Sequence, residues 1–307
     1  MPSAAHDHRR AVLMMVLAAT CWSSGGFLVR QVSIQNAWEI VYWRSLAMAI
    51  FVAVTLAVMH RGATLRTIRA VGLPGVLSGC FLAGTFFFFI ASLTRTTVAN
   101  TFVLMSVSPF LAALAGRIFL NERVPRRTWI AMAVAFAGIV TIFGAAVDVG
   151  RLTGNLLALG VSFCFALNVT MLRRFHASVD MLPTVMLAGI FSLVPAFLLA
   201  GPLQATPRDI AVLAFMGCIQ LGTGCLLMTA ASRALTATEL GLLALLEPIL
   251  GPLWVWLLMA EAPSRFALIG GVIVLGAVLA NEIYAAWEGG RQRALRAARM
   301  PEVRPPA

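Results

Sequence analysis

The chain has 307 residues, 60% of them hydrophobic and only 11% charged, with a formal net charge of +11. That composition excludes a water-soluble globular domain, because so apolar a surface has to face hydrocarbon. The basic excess does not point to a nucleic-acid partner, since all 23 basic residues are arginine and their placement follows a membrane.

Ten apolar runs follow one another at 11–30, 37–59, 70–93, 96–117, 128–147, 152–173, 181–203, 209–232, 238–259 and 265–287. Each is close to the roughly 20 residues that cross a hydrocarbon core about 30 Å thick. The expected fold is an all-α polytopic membrane protein of ten transmembrane helices. With the amino terminus placed inside, seventeen arginines fall in inner segments and five in outer ones (Arg30, Arg95, Arg151, Arg208 and Arg265), while Arg44 alone lies within a run. This positive-inside bias predicts a multi-pass protein of the cytoplasmic (inner) membrane with both termini inside. Residues 1–10 then form a cytoplasmic tail, and the arginine-rich 288–307 a basic cytoplasmic tail near the inner headgroups. The first run could mimic a secretory signal, but nine further runs follow and it reads as a retained helix.

In chain order, the first run carries Thr20, Trp22, Ser23, Ser24 and the pair Gly25-Gly26 in its outer half, a packing seam or a pivot. Trp22 lies several residues short of Arg30, too deep for an interfacial belt alone, and is read as a cavity-lining aromatic. The second run reaches Tyr42-Trp43-Arg44. At about 1.5 Å per residue Arg44 sits roughly 10 Å inside the outer boundary, deep enough to want Glu247 or Glu39 as a partner. The third run holds Gly79, Gly84, Thr85 and Phe86 to Phe89; four successive aromatics point all around a helix, so most face lipid or neighbours. The fourth carries Asn100, Ser106, Ser108 and Pro109, and the fifth is small and apolar throughout.

The second five runs repeat this programme. Ser162 and Asn168 lie in the sixth, Pro183 and Pro195 in the seventh, Gln220, Thr223 and Thr229 in the eighth, and Gly270, Gly271 and Gly276 in the tenth. The ninth holds Glu247-Pro248 near its middle. An acidic residue there costs roughly 2.5–3.5 kcal/mol, so it faces the bundle interior or a wet cavity. The proline also deprives the Ala244 carbonyl of its helical donor. Cys21, Cys80, Cys164, Cys218 and Cys225 all sit in apolar runs, odd in number and without a CxxC pair, and read as small buried hydrophobes.

Laying 91–130 on 230–269 at an offset of 139 pairs Ala91 with Ala230, Thr97 with Thr236, Pro109 with Pro248, Glu122 with Glu261 and Arg126 with Arg265. The same offset pairs Asn100 with Glu239 and Ser108 with Glu247, two polar positions on roughly one face of each copy. The chain thus divides into a first five-helix repeat at 11–147 and a second at 152–287. Five is odd, so the second repeat must cross in the opposite sense, an inverted repeat. Exchange of conformations between such halves moves a midplane cavity from one side to the other, which is alternating access. An enzyme is not expected: the loops are short and poor in acids and histidines, no P-loop is present, and nothing marks a catalytic residue, a metal site or a cofactor. Glu247 is either a proton relay or a structural group that orders the bent helix.

Ten runs as five plus five, Trp22-Ser23, Tyr42-Trp43-Arg44-Ser45 and the matched sets Pro109, Glu122, Arg126 and Pro248, Glu261, Arg265 resemble the EamA-type members of the drug/metabolite transporter superfamily. Within it the chain is most similar to the YddG-type exporters of aromatic amino acids. The resemblance implies a central cavity built from helices 1, 3, 4, 6, 8 and 9, with helices 5 and 10 peripheral. It also implies export of small amphiphilic metabolites, amino acids foremost, with other metabolites or cationic drugs as the alternative cargo. Candidate substrate-binding residues are Trp22, Ser23, Thr85, Phe86, Asn100, Ser108, Asn168, Gln220, Thr223, Glu247 and Trp254. Pro109 and Pro248 are the helix-bending residues, and Arg44 and Glu247 the intramembrane charges. The expected partners are a small-molecule substrate and the lipid bilayer.

Overall fold

The computed structural model describes residues 4–29, 31–96, 98–144, 152–176, 180–259 and 265–298, and among them every regular element is helical. Among the described residues nine helices are long and apolar enough to cross a membrane, one fewer than the ten expected. The first run is α1 (Ala4–Ser23) and α2 (Gly25–Val29), interrupted at Ser24. The second is α3 (Ala37–His60), opened by Asn36, whose side chain accepts from Trp38 N at 3.0 Å. A short loop helix, α4 (Thr64–Ala70), leads into the third, α5 (Gly72–Leu93). The fourth is broken into α6 (Val98–Met105) and α7 (Ser108–Leu120). The fifth run is α8 (Arg126–Phe143), the sixth α9 (Leu152–Phe175) and the seventh α10 (Pro183–Ala200).

The eighth run changes character along its length. It begins as α11 (Pro207–Phe215), started by a capping box between Thr206 and Asp209, widens into a π-helical segment at Met216–Thr223, and resumes as α12 (Gly224–Ala231). The ninth is α13 (Ala237–Ala244), opened by a capping box between Thr236 and Glu239, followed by α14 (Glu247–Met259). The tenth is α15 (Arg265–Ala298), one continuous helix.

Two boundaries differ from the expectation. The first helix starts at Ala4, inside the expected tail, and α15 runs past 287 to Ala298. Apolar content marks where the membrane begins, whereas the backbone hydrogen-bond ladder ends only where a cap or a proline stops it.

The offset of 139 is reproduced in the backbone. α6 (Val98–Met105) maps onto α13 (Ala237–Ala244), α7 (Ser108–Leu120) onto α14 (Glu247–Met259), and the two breaks fall at 106–107 and 245–246. The bonds around the breaks correspond as well: Val107 N donates to Leu104 O at 3.2 Å and Leu246 N to Leu243 O at 3.1 Å. Further upstream the register slips by one. Gly79-Cys80 and Gly84-Thr85 of α5 match Gly217-Cys218 and Gly222-Thr223 of the π segment at an offset of 138. One more residue therefore separates Thr223 from Ala230 than Thr85 from Ala91. The added residue falls after Thr223, where the π segment gives way to α12.

Packing follows the same exchange. α5 lies along α9 as α12 lies along α1, and α5 crosses α10 as the π segment crosses α3. α3 pairs with α10, α7 with α13, and α8 with α15. The α8–α15 seam is close: a Cβ on Gly138 would stand 2.9 Å from the Gly270 carbonyl oxygen. The outward faces carry Leu13, Ile50, Val54, Leu198, Leu257 and Val272, all exposed, as a lipid-facing surface requires. All five cysteines are free.

Candidate functional site

Pro109 and Pro248 lie in the first turn after each break. Lacking an N–H, they leave the carbonyls of Met105 and Ala244, four residues earlier, without helical donors. In the first half, the Ser162 hydroxyl of α9 supplies one, reaching Leu104 O at 3.0 Å and Met105 O at 3.1 Å. In the second half, the residue 139 before Ser162 is Ser23, and it is engaged otherwise. It donates to Thr20 O at 2.8 Å and accepts from Trp254 Nε1 at 2.9 Å. Ala244 instead faces a cavity.

That cavity, of about 130 Å³, lies between the two breaks. A water needs roughly 10–15 Å³ by this measure, so there is room for a small solute or a cluster of waters. Trp22, Arg44, Thr85, Phe86 and Phe89 form one part of its wall; Phe102, Met105, Ser106 and Ser108 come from the first break; Ser162 and Phe165 from α9. Gln220, Cys225 and Met228 come from the eighth run, and Ala244, Leu245, Glu247 and Pro248 from the second break. The walls belong to runs 1, 3, 4, 6, 8 and 9, the six that the resemblance implies, with Arg44 of the second run added.

Six of the candidate residues meet at this wall: Trp22, Thr85, Phe86, Ser108, Gln220 and Glu247. The other five lie elsewhere, each with a partner. Asn100 Nδ2 donates to Thr96 Oγ1 at 2.8 Å and to Asn155 Oδ1 at 2.6 Å, joining the start of α6 to α9. Asn168 accepts from the Ser78 hydroxyl at 2.9 Å and joins α9 to α5. Thr223 Oγ1 donates to Cys218 O at 3.0 Å within the π segment, and Ser23 and Trp254 bond each other between α1 and α14. Asn100 and Ser108 share a face only on an unbroken helix; the break at 106–107 turns them apart. Glu239 is likewise held by its own cap, accepting from Thr236 N at 2.8 Å.

The intramembrane charges resolve differently from a simple pair. Glu39 accepts from the backbone N–H groups of Gln204 at 2.7 Å and Ala205 at 2.8 Å, so it serves the loop between α10 and α11. Arg44 and Glu247 both line the cavity, yet no ion pair within 4.0 Å joins them. Arg44 Nε, Trp22 Nε1 and Gln220 Oε1 are buried without a hydrogen-bond partner. The Gln220 amide is oriented by its other end, Nε2 donating to Trp22 O at 3.1 Å. Sequence alone left Arg44 off the wall because depth along a helix does not fix the direction in which a side chain points. Phe89, which with Phe86 forms an i, i+3 pair on one face of α5, was legible only as one of four phenylalanines.

Residues 9–144 and 152–281 each match the EamA-like transporter family. The chain belongs to the EamA-like transporter family. This EamA transporter is 24% identical over 286 residues to the pseudopaline exporter CntI of Pseudomonas aeruginosa, covering 89% of this chain and 95% of that protein. It is 23% identical over 245 residues to the uncharacterized transporter YdfC of Bacillus subtilis, covering 76% of each. A solved crystal structure shares its fold with a TM-score of 0.77 at 18% identity, over 87% of this chain and 95% of the other. The protein is therefore a multi-pass membrane transporter of the drug/metabolite superfamily and not an enzyme.

Proposed function

We propose that this EamA transporter is a secondary carrier that exports small amphiphilic metabolites across the cytoplasmic membrane by alternating access, with aromatic and neutral, threonine-like amino acids as its cargo. The observation that carries the reading is the cavity framed by two broken helices whose breaks correspond residue for residue, at 106–107 and 245–246. In this reading ten spans form two inverted five-helix repeats with both termini inside. The exchange of their conformations opens the cavity to either face. Trp22, Thr85, Phe86, Ser108, Gln220 and Glu247 contact the solute, while Ser23, Asn100, Asn168, Thr223 and Trp254 hold the wall in place. Phe86, Phe89, Phe102 and Phe165 supply an apolar lining for the body of an amphiphile, and the hydroxyls and Gln220 supply polar contacts for its ends. The exporter direction is supported by the YddG-type resemblance and by the likeness to the pseudopaline exporter CntI. That likeness also favours a second reading, export of a metabolite other than an amino acid.

The test is flux of radiolabelled phenylalanine and threonine in proteoliposomes, with nucleotide sugars and cationic drugs as competitors. Saturable amino-acid flux that the other classes do not displace supports the proposal. Well-folded protein that moves no amino acid refutes it, and displacement by another class reassigns the cargo.

A further inference from the structure

Buried arginines in a membrane are normally paired, because an isolated charge taken out of water costs several kcal/mol. Arg44 departs from that rule. It is only 7% exposed, its Nε has no hydrogen-bond partner, and the one carboxylate on the same cavity wall, Glu247, forms no ion pair with it within 4.0 Å. Trp22 lies on the same wall: it is 8% exposed, and its indole N–H, packed against Gly224 and beside the Cys225 thiol, meets no oxygen or nitrogen acceptor. These are two donors on one wall, one of them permanently charged. Close packing holds the Arg44 backbone and the Trp22 ring. A Cβ on Gly217 would collide with the Arg44 carbonyl oxygen, and one on Gly224 with the Trp22 indole nitrogen.

Acceptors line the same cavity. Gln220 Oε1, buried and unpartnered, lines the cavity, as do Glu247 and Ala244 at the second break. A carboxylate, a free amide oxygen and the carbonyl end of the half-helix α13 together favour a cation.

We propose that Arg44 and the Trp22 indole N–H form an anion subsite that takes the carboxylate of the solute, while Gln220 Oε1, Glu247 and the carbonyl end of α13 take its ammonium group. Arg44 is thus the specificity-determining residue: the carrier requires a free carboxylate beside an amino group. The proposal rests on the amino-acid reading above.

The experiment is counterflow of radiolabelled phenylalanine in proteoliposomes, competed with phenylalanine, with phenethylamine, which lacks the carboxylate, and with 3-phenylpropionate, which lacks the ammonium group. A hydrogen bond to a charged group contributes about 1.5–3 kcal/mol, so both truncated compounds should compete about ten- to a hundredfold more weakly than phenylalanine. In Arg44→Gln the preference for phenylalanine over phenethylamine should shrink to within about threefold, and Arg44→Lys should restore part of it. Should phenethylamine compete as well as phenylalanine at the wild-type carrier, the subsite is wrong whatever the variants do, and the amino-acid reading survives. Undiminished discrimination by Arg44→Gln also overturns it. Absence of flux for every amino acid removes the amino-acid reading itself, and the subsite with it.

Discussion

Gly217→Ala tests how tightly the wall that carries Arg44 is built. The added Cβ would collide with the Arg44 carbonyl oxygen and stand 2.7 Å from Ala47 Cβ and 2.9 Å from Met48 N, where ordinary contact begins at 3.4 Å. These atoms belong to the backbone and first side-chain carbon of α3, so no rotamer change relieves the overlap; one helix must move by several tenths of an ångström. Overpacking of this kind costs about 1–3 kcal/mol, and replacing a helical glycine returns at most about 1 kcal/mol. The net loss is about 1–2 kcal/mol, or a fall of about 2–8 °C in the thermal midpoint of the protein in detergent. Because α3 carries Arg44, phenylalanine flux should fall as well. Gly276→Ala is the control, since nothing lies within 4 Å of the Cβ it would add, and it should leave the midpoint unchanged or slightly raised. If Gly217→Ala melts and transports like the wild type while Gly276→Ala behaves as expected, the described approach of α3 to the π segment is incorrect.

Asn155→Leu removes the acceptor shared by Asn100 and Thr96 and should cost about 1–3 kcal/mol in thermal stability with unchanged substrate preference; a changed preference would move this corner into the binding site. Phe86→Ala should raise the KM for phenylalanine about three- to tenfold while leaving that for threonine near its wild-type value, as flux kinetics would show; equal effects on both would mean that the ring supports the wall rather than the solute's body. Glu247→Gln should flatten the pH dependence of flux, measured over a range of external pH at constant membrane potential. Retained pH dependence would assign this carboxyl to ordering the break.

Nine of the ten expected spans were legible because membrane crossing demands length and apolarity, two properties that a sequence displays directly. The second half could be aligned on the first because Pro109 and Pro248 recur with their flanking residues, and the backbone breaks then fall at matched positions. Less was legible inside the bundle. Asparagine in an apolar run has the same appearance whether it meets a solute or another helix, and Asn100 and Asn168 meet Asn155 and Ser78. The spacing between Asn100 and Ser108 suggested a shared face, but that inference presumes regular winding, which Pro109 abolishes. The π turn at Met216–Thr223 left no trace in the apolar pattern, which continues through it. What sets the eighth run apart from the third in the sequence is a one-residue slip just after the turn, between Thr223 and Ala230 as against Thr85 and Ala91.

That slip bears on how an unloaded carrier spends its time. Halves that matched throughout would give two resting shapes related by symmetry and therefore equal in free energy, each occupied half the time. Every difference between the halves lifts this degeneracy, and the widened turn of the eighth run is one of them, since whichever half adopts a given shape, only the second contains that turn. Under the exchange proposed above, the doorway favoured at rest, and with it the side on which cargo is first met, follows from what the two halves do not share.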